Sequence, residues 1–269
     1  MTATSTSRVT HGAAVDVSTL RVFARTCAAE WTRLWTVRGT WSFLVAAAVV
    51  MLWLGTLLGF ESAADPVEIQ GGPAWETAQF IAMPAQFALL ALALTAVTSD
   101  YATGGIIPTL QWTPCRTVLF FARTIVTAGT ATGIGVLLAL GAPLAAYTTA
   151  GSALVLPVDQ GVDMLGTVAF VFAAGTALAI GLGFLLRNTA AALIAVFLLV
   201  LVLPLLLPVF GEWMTTVAKL LPGSGVTFLL LGEPQGRMTE ASSITVMLAW
   251  AGGTLLFGWL RLLRDDANR

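Results

Sequence analysis

The feature that most constrains this chain is a series of apolar segments, each long enough to cross a lipid bilayer as a helix. Such a helix needs about 20 mostly apolar residues to span a hydrocarbon core of ~30 Å. The composition agrees, since 57% of the residues are hydrophobic and only 10% are charged, against roughly a quarter charged in soluble domains. We predict an all-α polytopic membrane protein with six spans, at Trp41–Phe60, Thr77–Thr98, Val118–Thr148, Met164–Leu186, Thr189–Phe210 and Ala241–Leu260.

The charged residues between the spans predict an orientation. Eleven arginines fall on one side of the predicted bilayer, whereas only Lys219 and Arg237 fall on the other. Because cytoplasmic loops carry the excess of Lys and Arg, we expect both termini to be cytoplasmic in a bacterial cell membrane. Both cysteines, Cys27 and Cys115, then lie on the reducing side, where thiols stay free. The arginines of the first group are Arg8, Arg21, Arg25, Arg33, Arg38, Arg116, Arg123, Arg187, Arg261, Arg264 and Arg269.

The segment before the first span has the pattern of an amphipathic helix. We expect residues 1–17 to be a disordered cytoplasmic tail, 18–40 to form this helix, 41–260 to form the six-span domain and 261–269 to form a second cytoplasmic tail. Trp31 falls on the apolar stripe, and Arg21, Arg25 and Arg33 fall opposite it, toward water and anionic lipid. The helix is expected to turn into the first span at Gly39. The pattern fits both a simple membrane anchor and a lever that touches a cytoplasmic partner.

The loop between the second and third spans is apolar and rich in helix breakers. Its sequence, SDYATGGIIPTLQWTP, has no charge between Asp100 and Arg116. Gly104 and Gly105 are expected to end the second span, and Pro108 suits the first turn of a new short helix. That helix is expected to expose an apolar patch, which favours contact with another protein or with lipid head groups. The patch residues are Ile106, Ile107, Leu110 and Trp112.

Three further patterns concern packing. The run Leu220–Gly232 is too short to cross the bilayer, and it predicts either a re-entrant hairpin or a loop against the helix ends. Pro84, Pro204 and Pro208 are expected to kink the second and fifth spans. Small residues spaced by four predict close helix packing. They are Gly129 and Gly133 on the third span, Gly175, Ala179 and Gly183 on the fourth, and Ala249 and Gly253 on the sixth.

The residues needed for catalysis are sparse. His11 is the only histidine, and Lys219 does not follow a phosphate-binding glycine pattern. We therefore expect no enzyme activity, no bound metal and no cofactor in this chain. Arg123 is expected to snorkel to the nearby bilayer surface, which leaves no ionisable group at mid-depth for ion-coupled transport. The low net charge argues against nucleic-acid binding.

The sequence resembles the permease subunits of type-2 ATP-binding-cassette exporters, especially the short actinobacterial ones. The resemblance covers nearly the whole chain, from EWTRLWTVRGTW to RLLRDD, and includes SDYATGGIIPTLQWTPCRTVLFFAR, GFLLRNTAAALIAVFLLVLVLPLLL and LPGSG. The family's loop has an acidic residue, Gly, an aliphatic pair, Leu, Pro and Arg. Here these positions resemble Asp100, Gly104 or Gly105, Ile106, Leu110, Pro114 and Arg116. Many relatives carry a basic residue where this chain has Ile107-Pro108.

The resemblance implies a division of labour. The loop would be a coupling helix that grips a separate ATP-hydrolysing subunit through Ile106, Ile107, Leu110, Trp112 and Arg116, and ATP and Mg would be bound by that subunit. The amphipathic segment, with Arg21, Arg25, Trp31 and Arg33, would be the connecting helix. Two six-span subunits, as homodimer or heterodimer, would pair around a path lined by the second and fifth spans, with the hairpin as an exit gate.

On this reading the chain is the permease of an exporter that moves an amphiphilic substrate, such as a drug, antibiotic, peptide or lipid, by alternating access. Gln79, Met83 and Gln86 share one face of the second span and are candidates for the path; hydrogen bonding of either Gln to a neighbouring helix is the alternative. Two other functions remain open from the residues, namely a non-transporting membrane anchor or regulator of a cytoplasmic complex, and an ion-coupled carrier.

Overall fold

The computed structural model describes residues 18–64, 72–106, 108–109, 115–232 and 238–264. It confirms an all-helical polytopic architecture with six helices long and apolar enough to cross a membrane. Span 1 is Arg38–Ala64, span 2 is Trp75–Thr103, span 3 is Arg116–Ala150, span 4 is Val158–Leu186, span 5 is Thr189–Phe210 and span 6 is Glu240–Arg264. All but span 5 extend beyond the predicted apolar runs, because polar residues continue the helices past the hydrocarbon region.

The two ends of the bundle differ in charge. The described residues of one end carry nine arginines, and we call it the arginine-rich end. The described residues of the opposite end carry Lys219 and six exposed acids, and we call it the acidic end. These acids are Glu61, Glu76, Asp159, Asp163, Glu212 and Glu240. A parallel pair of two-residue strands, Gly72–Pro73 and Leu154–Val155, joins the loops at the acidic end.

Span 4 lies at the centre of the bundle. A Cβ on Gly175 would lie 3.1 Å from Gln86 of span 2, and one on Gly183 would lie 3.3 Å from Val97. The predicted small-residue ladder of span 4 therefore packs against span 2. The ladders of spans 3 and 6 are different, because Cβ atoms on Gly129, Gly133 or Gly253 would meet no atom within 4 Å. Close packing within the chain was the wrong expectation for those glycines.

Span 5 is irregular around its prolines, as expected. It begins as an α-helix at Thr189–Phe197, passes through a π-helical segment at Leu198–Val202, and ends as a 3-10 helix at Leu207–Phe210. Pro204 lies two residues after the end of the π-helical segment, and it has no amide hydrogen to donate to the turn before it. The broken hydrogen-bond ladder makes room for a close neighbour in the middle of the span.

That neighbour belongs to a helical hairpin between spans 5 and 6. Two short helices, Glu212–Ala218 and Pro222–Leu231, meet at an angle of 85°. The second is buried, and a Cβ on Gly223 would overlap the carbonyl oxygen of Val200 in span 5. Trp250 Nε1 donates to Leu220 O at the corner of the hairpin, 2.7 Å away. At a rise of ~1.5 Å per residue, Trp250 lies about 15 Å along span 6, so the hairpin is re-entrant.

The amphipathic segment forms a separate helix, Thr19–Thr36, which we call the surface helix. It ends at Val37, whose extended backbone turns the chain directly into span 1 at Arg38. Gly39 lies within span 1, so the turn comes two positions earlier than expected. The rings of Trp31, Trp35 and Trp41 pack together around this turn, with centroids 5.5 and 5.3 Å apart.

Candidate functional site at the arginine-rich end

The buried face of the surface helix carries an acidic side chain, Glu30. Thr26, Glu30 and Leu34 recur every four residues, and all three are buried. Residues at this spacing lie on the same helical face, so the face that carries Leu34 also places the carboxylate of Glu30 against span 3. Leu20 and Trp31 lie on a different face and are exposed, where membrane lipid can cover them.

Glu30 belongs to a group of four charged side chains, Glu30, Arg33, Asp100 and Arg123, which we call the ion network. Arg123 Nε and Nη2 donate to Glu30 Oε2 and Oε1, at 3.1 and 2.8 Å. Arg33 donates to Glu30 Oε2 and to Asp100 Oδ1, both at 2.9 Å. Arg123 Nη2 also lies 2.7 Å from Asp100 Oδ2. The network joins the surface helix to the last turns of span 2 and to span 3.

Arg123 is the most buried member of the network. Its side chain is 0% exposed, so the expectation that it snorkels to the bilayer surface was wrong. A buried guanidinium is costly unless it is paired and hydrogen-bonded, and the two carboxylates supply that pairing inside the protein. Two acids and two arginines give the network a formal charge of zero, which makes its burial possible.

The carboxyl group of Glu30 is held in its charged form. Burial acts to raise the pKa of Glu30, but the guanidinium groups of Arg123 and Arg33 more than offset it and hold the pKa below its ordinary value. The ion pairs therefore persist at neutral pH. They depend on both arginines, because the carboxylate would otherwise be buried without a positive partner.

Arg33 also departs from the expected orientation. It was expected to point to water and anionic lipid, yet its guanidinium turns into the bundle and donates to Ala96 O of span 2 at 2.6 Å. Arg21 and Arg25 remain exposed on the surface helix, as the amphipathic pattern predicts. The long side chain of Arg33 lets one residue near the edge of the helix reach the inner network.

The loop after span 2 begins beside the network. Span 2 ends at Thr103, and Gly104 adopts φ 73°, a left-handed conformation that favours glycine at a helix C-terminus. Ile106, Pro108 and Thr109 are helical, and the Thr109 amide donates to Gly105 O. Ile106 was expected to be exposed, but it is only 6% exposed, so its side chain is packed inside the protein. Ile107, Leu110 and Trp112 lie outside the described residues.

Arg116, the last predicted contact residue of the loop, is oriented toward span 6. Its Nη1 donates to Leu262 O at 3.0 Å, near the end of that helix. Arg187 donates to Arg261 O, and Arg261 donates to Leu185 O of span 4. The last carbonyl groups of a helix lack partners within the helix, and these arginines supply them. The arginine-rich end is thus cross-linked by arginine–carbonyl hydrogen bonds as well as by the ion network.

The three residues proposed for a substrate path lie in different surroundings. Gln86 is 1% exposed against Gly175 of span 4, and its amide has no hydrogen-bond partner among the described residues. Gln79 and Met83 are half-buried. None of the three lines the apolar cleft of about 590 Å³ between spans 2 and 5. That cleft is lined by Phe87, Leu90, Ala91, Leu193, Ile194, Val196, Phe197, Leu198 and Val202.

The ion network was not predicted, although two features of the sequence indicate it. Arg123 is a lone charge in a predicted span, and Glu30 is the only acid in a helix rich in arginine. Ionisable groups within spans pair with one another, so the two together predict a contact. In the part of the chain that the structure describes, no three His, Cys, Asp or Glu side chains lie close enough to hold a metal ion.

Comparison with known proteins adds no assignment. A scan against protein-family models gives no match for this chain, and a search of curated proteins finds no relative of significant similarity. What can be inferred about function therefore rests on the residues themselves and on their arrangement in a multi-pass membrane protein.

Proposed function

We propose that this protein is the membrane-spanning permease subunit of an ATP-driven exporter of the ATP-binding-cassette type. The observation that carries the proposal is the ion network, which joins the surface helix, span 2 and span 3 beside the loop of residues 104–114. An ATP-hydrolysing partner that pushes on this loop would move the two spans and the surface helix together. Ion pairs that tie the surface helix to spans 2 and 3 would transmit such a movement, whereas a simple membrane anchor would not need them.

In this proposal the arginine-rich end faces the cytoplasm, in agreement with the positive-inside rule. The partner docks on the loop, with Leu110 and Trp112 as the expected contact residues, and ATP and Mg are bound by the partner. Two copies of the chain, or one copy and a homologous permease, pair in the bacterial cell membrane. Closure of the ATPase subunits on ATP then opens the paired permeases outward, and the re-entrant hairpin gates the exit. The substrate is amphiphilic, and the apolar cleft between spans 2 and 5 suits its hydrocarbon part.

The first test is partner capture. The tagged protein is purified from its own host in mild detergent and analysed by mass spectrometry. The expected result is an ATP-binding subunit that co-purifies with wild type and is lost in Leu110→Asp and Trp112→Asp. Phe210→Asp is the matched control, because it places the same charge on an exposed apolar residue at the acidic end. If folded wild type brings no ATPase under several mild conditions, the exporter proposal fails.

A partner without transport would favour the anchor or regulator. The reconstituted complex separates the two functions, since only an exporter shows substrate flux that depends on ATP hydrolysis. Arg33→Gln then tests the route of force within the complex. We expect this variant to keep the partner and to lose substrate-stimulated ATP hydrolysis, because Arg33 links the surface helix to span 2.

Sidedness is tested with the native cysteines. Cys115 is exposed just before span 3, whereas burial raises the pKa of the half-buried Cys27 thiol and slows its reaction. In a Cys27→Ser background, a membrane-impermeant maleimide should label Cys115 in inverted vesicles and not in intact cells. Glu61→Cys, at the acidic end, should show the opposite pattern. Labelling of Cys115 in intact cells would contradict the proposed orientation.

A further inference from the structure

The surface helix and span 3 enclose a second apolar cleft, of about 410 Å³, at the arginine-rich end. Its walls are Leu20 and Phe23 on one side and Val118, Phe121 and Ile125 on the other, with Thr19 and Thr117 at the mouth. The cleft opens sideways, because Leu20, Phe121 and Ile125 are each more than 40% exposed. It is therefore accessible to lipid from within the membrane plane.

The depth of the cleft matches part of one lipid leaflet. From Thr117 to Ile125, span 3 advances about 12 Å at ~1.5 Å per residue, whereas half of the hydrocarbon core is ~15 Å thick. The mouth lies at the first turn of span 3, beside the start of the apolar run at Val118, so we place it where the hydrocarbon region meets the head groups. An acyl chain that enters from this level would run along the apolar walls, and its head group would remain beside the start of the surface helix.

The charges around the mouth favour an anionic head group. Arg21 and Arg25 are exposed on the surface helix and have no acidic partner among the described residues. The described acids of this end are Glu30 and Asp100, and the ion network occupies both. The surface helix and span 3 both begin at the mouth without a side-chain cap, so their first amides add partial positive charge. The arginines and the apolar walls contribute most to the expected binding of an anionic lipid.

From the cleft and the two exposed arginines of the surface helix, Arg21 and Arg25, we infer a binding site for one anionic phospholipid between the surface helix and span 3. One acyl chain lies against Phe23, Val118 and Phe121, and the phosphate lies near Arg21 and Arg25. The site does not depend on the exporter proposal, because any function that uses the surface helix in a membrane would retain it. A bound lipid would fill the gap between the start of the surface helix and span 3. The ion pair of Glu30 with Arg123 joins the same two helices about two turns farther along the surface helix.

The test compares two lipids in native mass spectrometry of the full chain in mild detergent. Phosphatidylglycerol should stay bound at about 25-fold lower concentration than phosphatidylcholine. Each arginine near the membrane surface should raise the affinity for an anionic lipid about fivefold. The double variant Arg21→Gln with Arg25→Gln should therefore lose most of the preference for phosphatidylglycerol. Arg264→Gln, an exposed arginine at the same end but on span 6, is the matched control and should leave the preference unchanged. Equal retention of the two lipids by wild type would overturn the inference.

The position is tested separately with phosphatidylglycerol that carries a diazirine in the acyl chain. Irradiation followed by peptide mapping should place label on residues 19–23 and 117–125. Label spread evenly over the exposed faces of spans 1, 3 and 6 would overturn the site, even if the head-group preference held. Because the side chains of Arg21 and Arg25 are exposed, the thermal midpoint of the double variant should equal that of wild type.

Discussion

The two ends of the bundle are held together by different interactions. At the arginine-rich end, the ion network and arginine–carbonyl hydrogen bonds connect the surface helix with spans 2, 3, 4 and 6. At the acidic end the described acids are exposed, and the helices are joined by close backbone contact, by a strand pair and by the hydrogen bond from Trp75 Nε1 to Pro157 O. Charged side chains thus join helices at the arginine-rich end, whereas the described acids of the acidic end face solvent.

The pairing of particular helices is specified more strictly at the arginine-rich end. Close packing at glycine holds helices together without deciding which charged groups meet, whereas a buried ion network tolerates few alternatives because an unpaired member is costly. The end with the network is also the end where span 2 stops at Thr103 and span 3 begins at Arg116. Substitutions at the arginine-rich end should therefore destabilise the protein more than substitutions at the acidic end.

Replacing Arg123 by Met should have the largest effect. Removal of one partner leaves Glu30 buried without its main counter-charge, and the free energy of unfolding should fall by about 3–5 kcal/mol. The change is measured by thermal unfolding in mild detergent. Asp163→Asn at the acidic end is the control and should change stability by less than about 0.5 kcal/mol. A loss below ~1 kcal/mol in Arg123→Met would mean that the network is not structural.

Lowering the pH should weaken the ion network at the arginine-rich end. Because the pKa of Glu30 is held below its ordinary value in the folded protein, its contribution is present above the unfolded pKa and is lost as the pH falls through the folded pKa. The thermal midpoint should therefore drop as the pH is lowered below the ordinary glutamate range of about 4.3. Glu30→Gln should be less stable at neutral pH and should show a shallower decrease. Parallel curves for the two proteins would exclude Glu30 as the titrating group.

Gly59→Ala tests the packing of spans 1 and 3 toward the acidic end. A Cβ at this position would lie 2.5 Å from the carbonyl oxygen of Ala146 and 2.8 Å from its Cα. Overpacking of this kind should cost about 1–3 kcal/mol. Gly133→Ala meets no atom within 4 Å, so it should be neutral or stabilising through its higher helix propensity. Equal thermal midpoints of the two variants would show that spans 1 and 3 separate easily.

Trp75→Phe should have the smallest effect. It removes the hydrogen bond from Nε1 to Pro157 O, which is 2.7 Å long, and the outer indole atoms that face Gly161, but it keeps an aromatic ring at this position. The expected loss is about 1 kcal/mol, seen as a small decrease in the thermal midpoint. Trp53→Phe, an exposed tryptophan of span 1, is the control. A loss as large as that of Arg123→Met would mean that both ends depend equally on polar contacts.

Much of the architecture was predictable because it depends on local composition. Each span was found from its own apolar run, and the break after span 2 was found from Gly104, whose left-handed conformation the structure confirms. The re-entrant hairpin was one of two alternatives for Leu220–Gly232, and its depth needed Val200 and Trp250 as neighbours. Contacts between distant segments were predicted less well. The orientation of Arg33, the burial of Ile106 and the open surroundings of Gly129 all differ from expectation.

Six helices long and apolar enough to cross a membrane, and an amphipathic helix before the first of them, could be read from the residues alone. These properties follow from the transfer free energy of each segment, which depends on the residues within it. Only the tertiary structure decided that Glu30 meets Arg123, 93 positions away, and that Arg33 meets Asp100. The partner of a buried charge depends on which helix faces pack together, and the packing of distant segments is not contained in the hydropathy of either one.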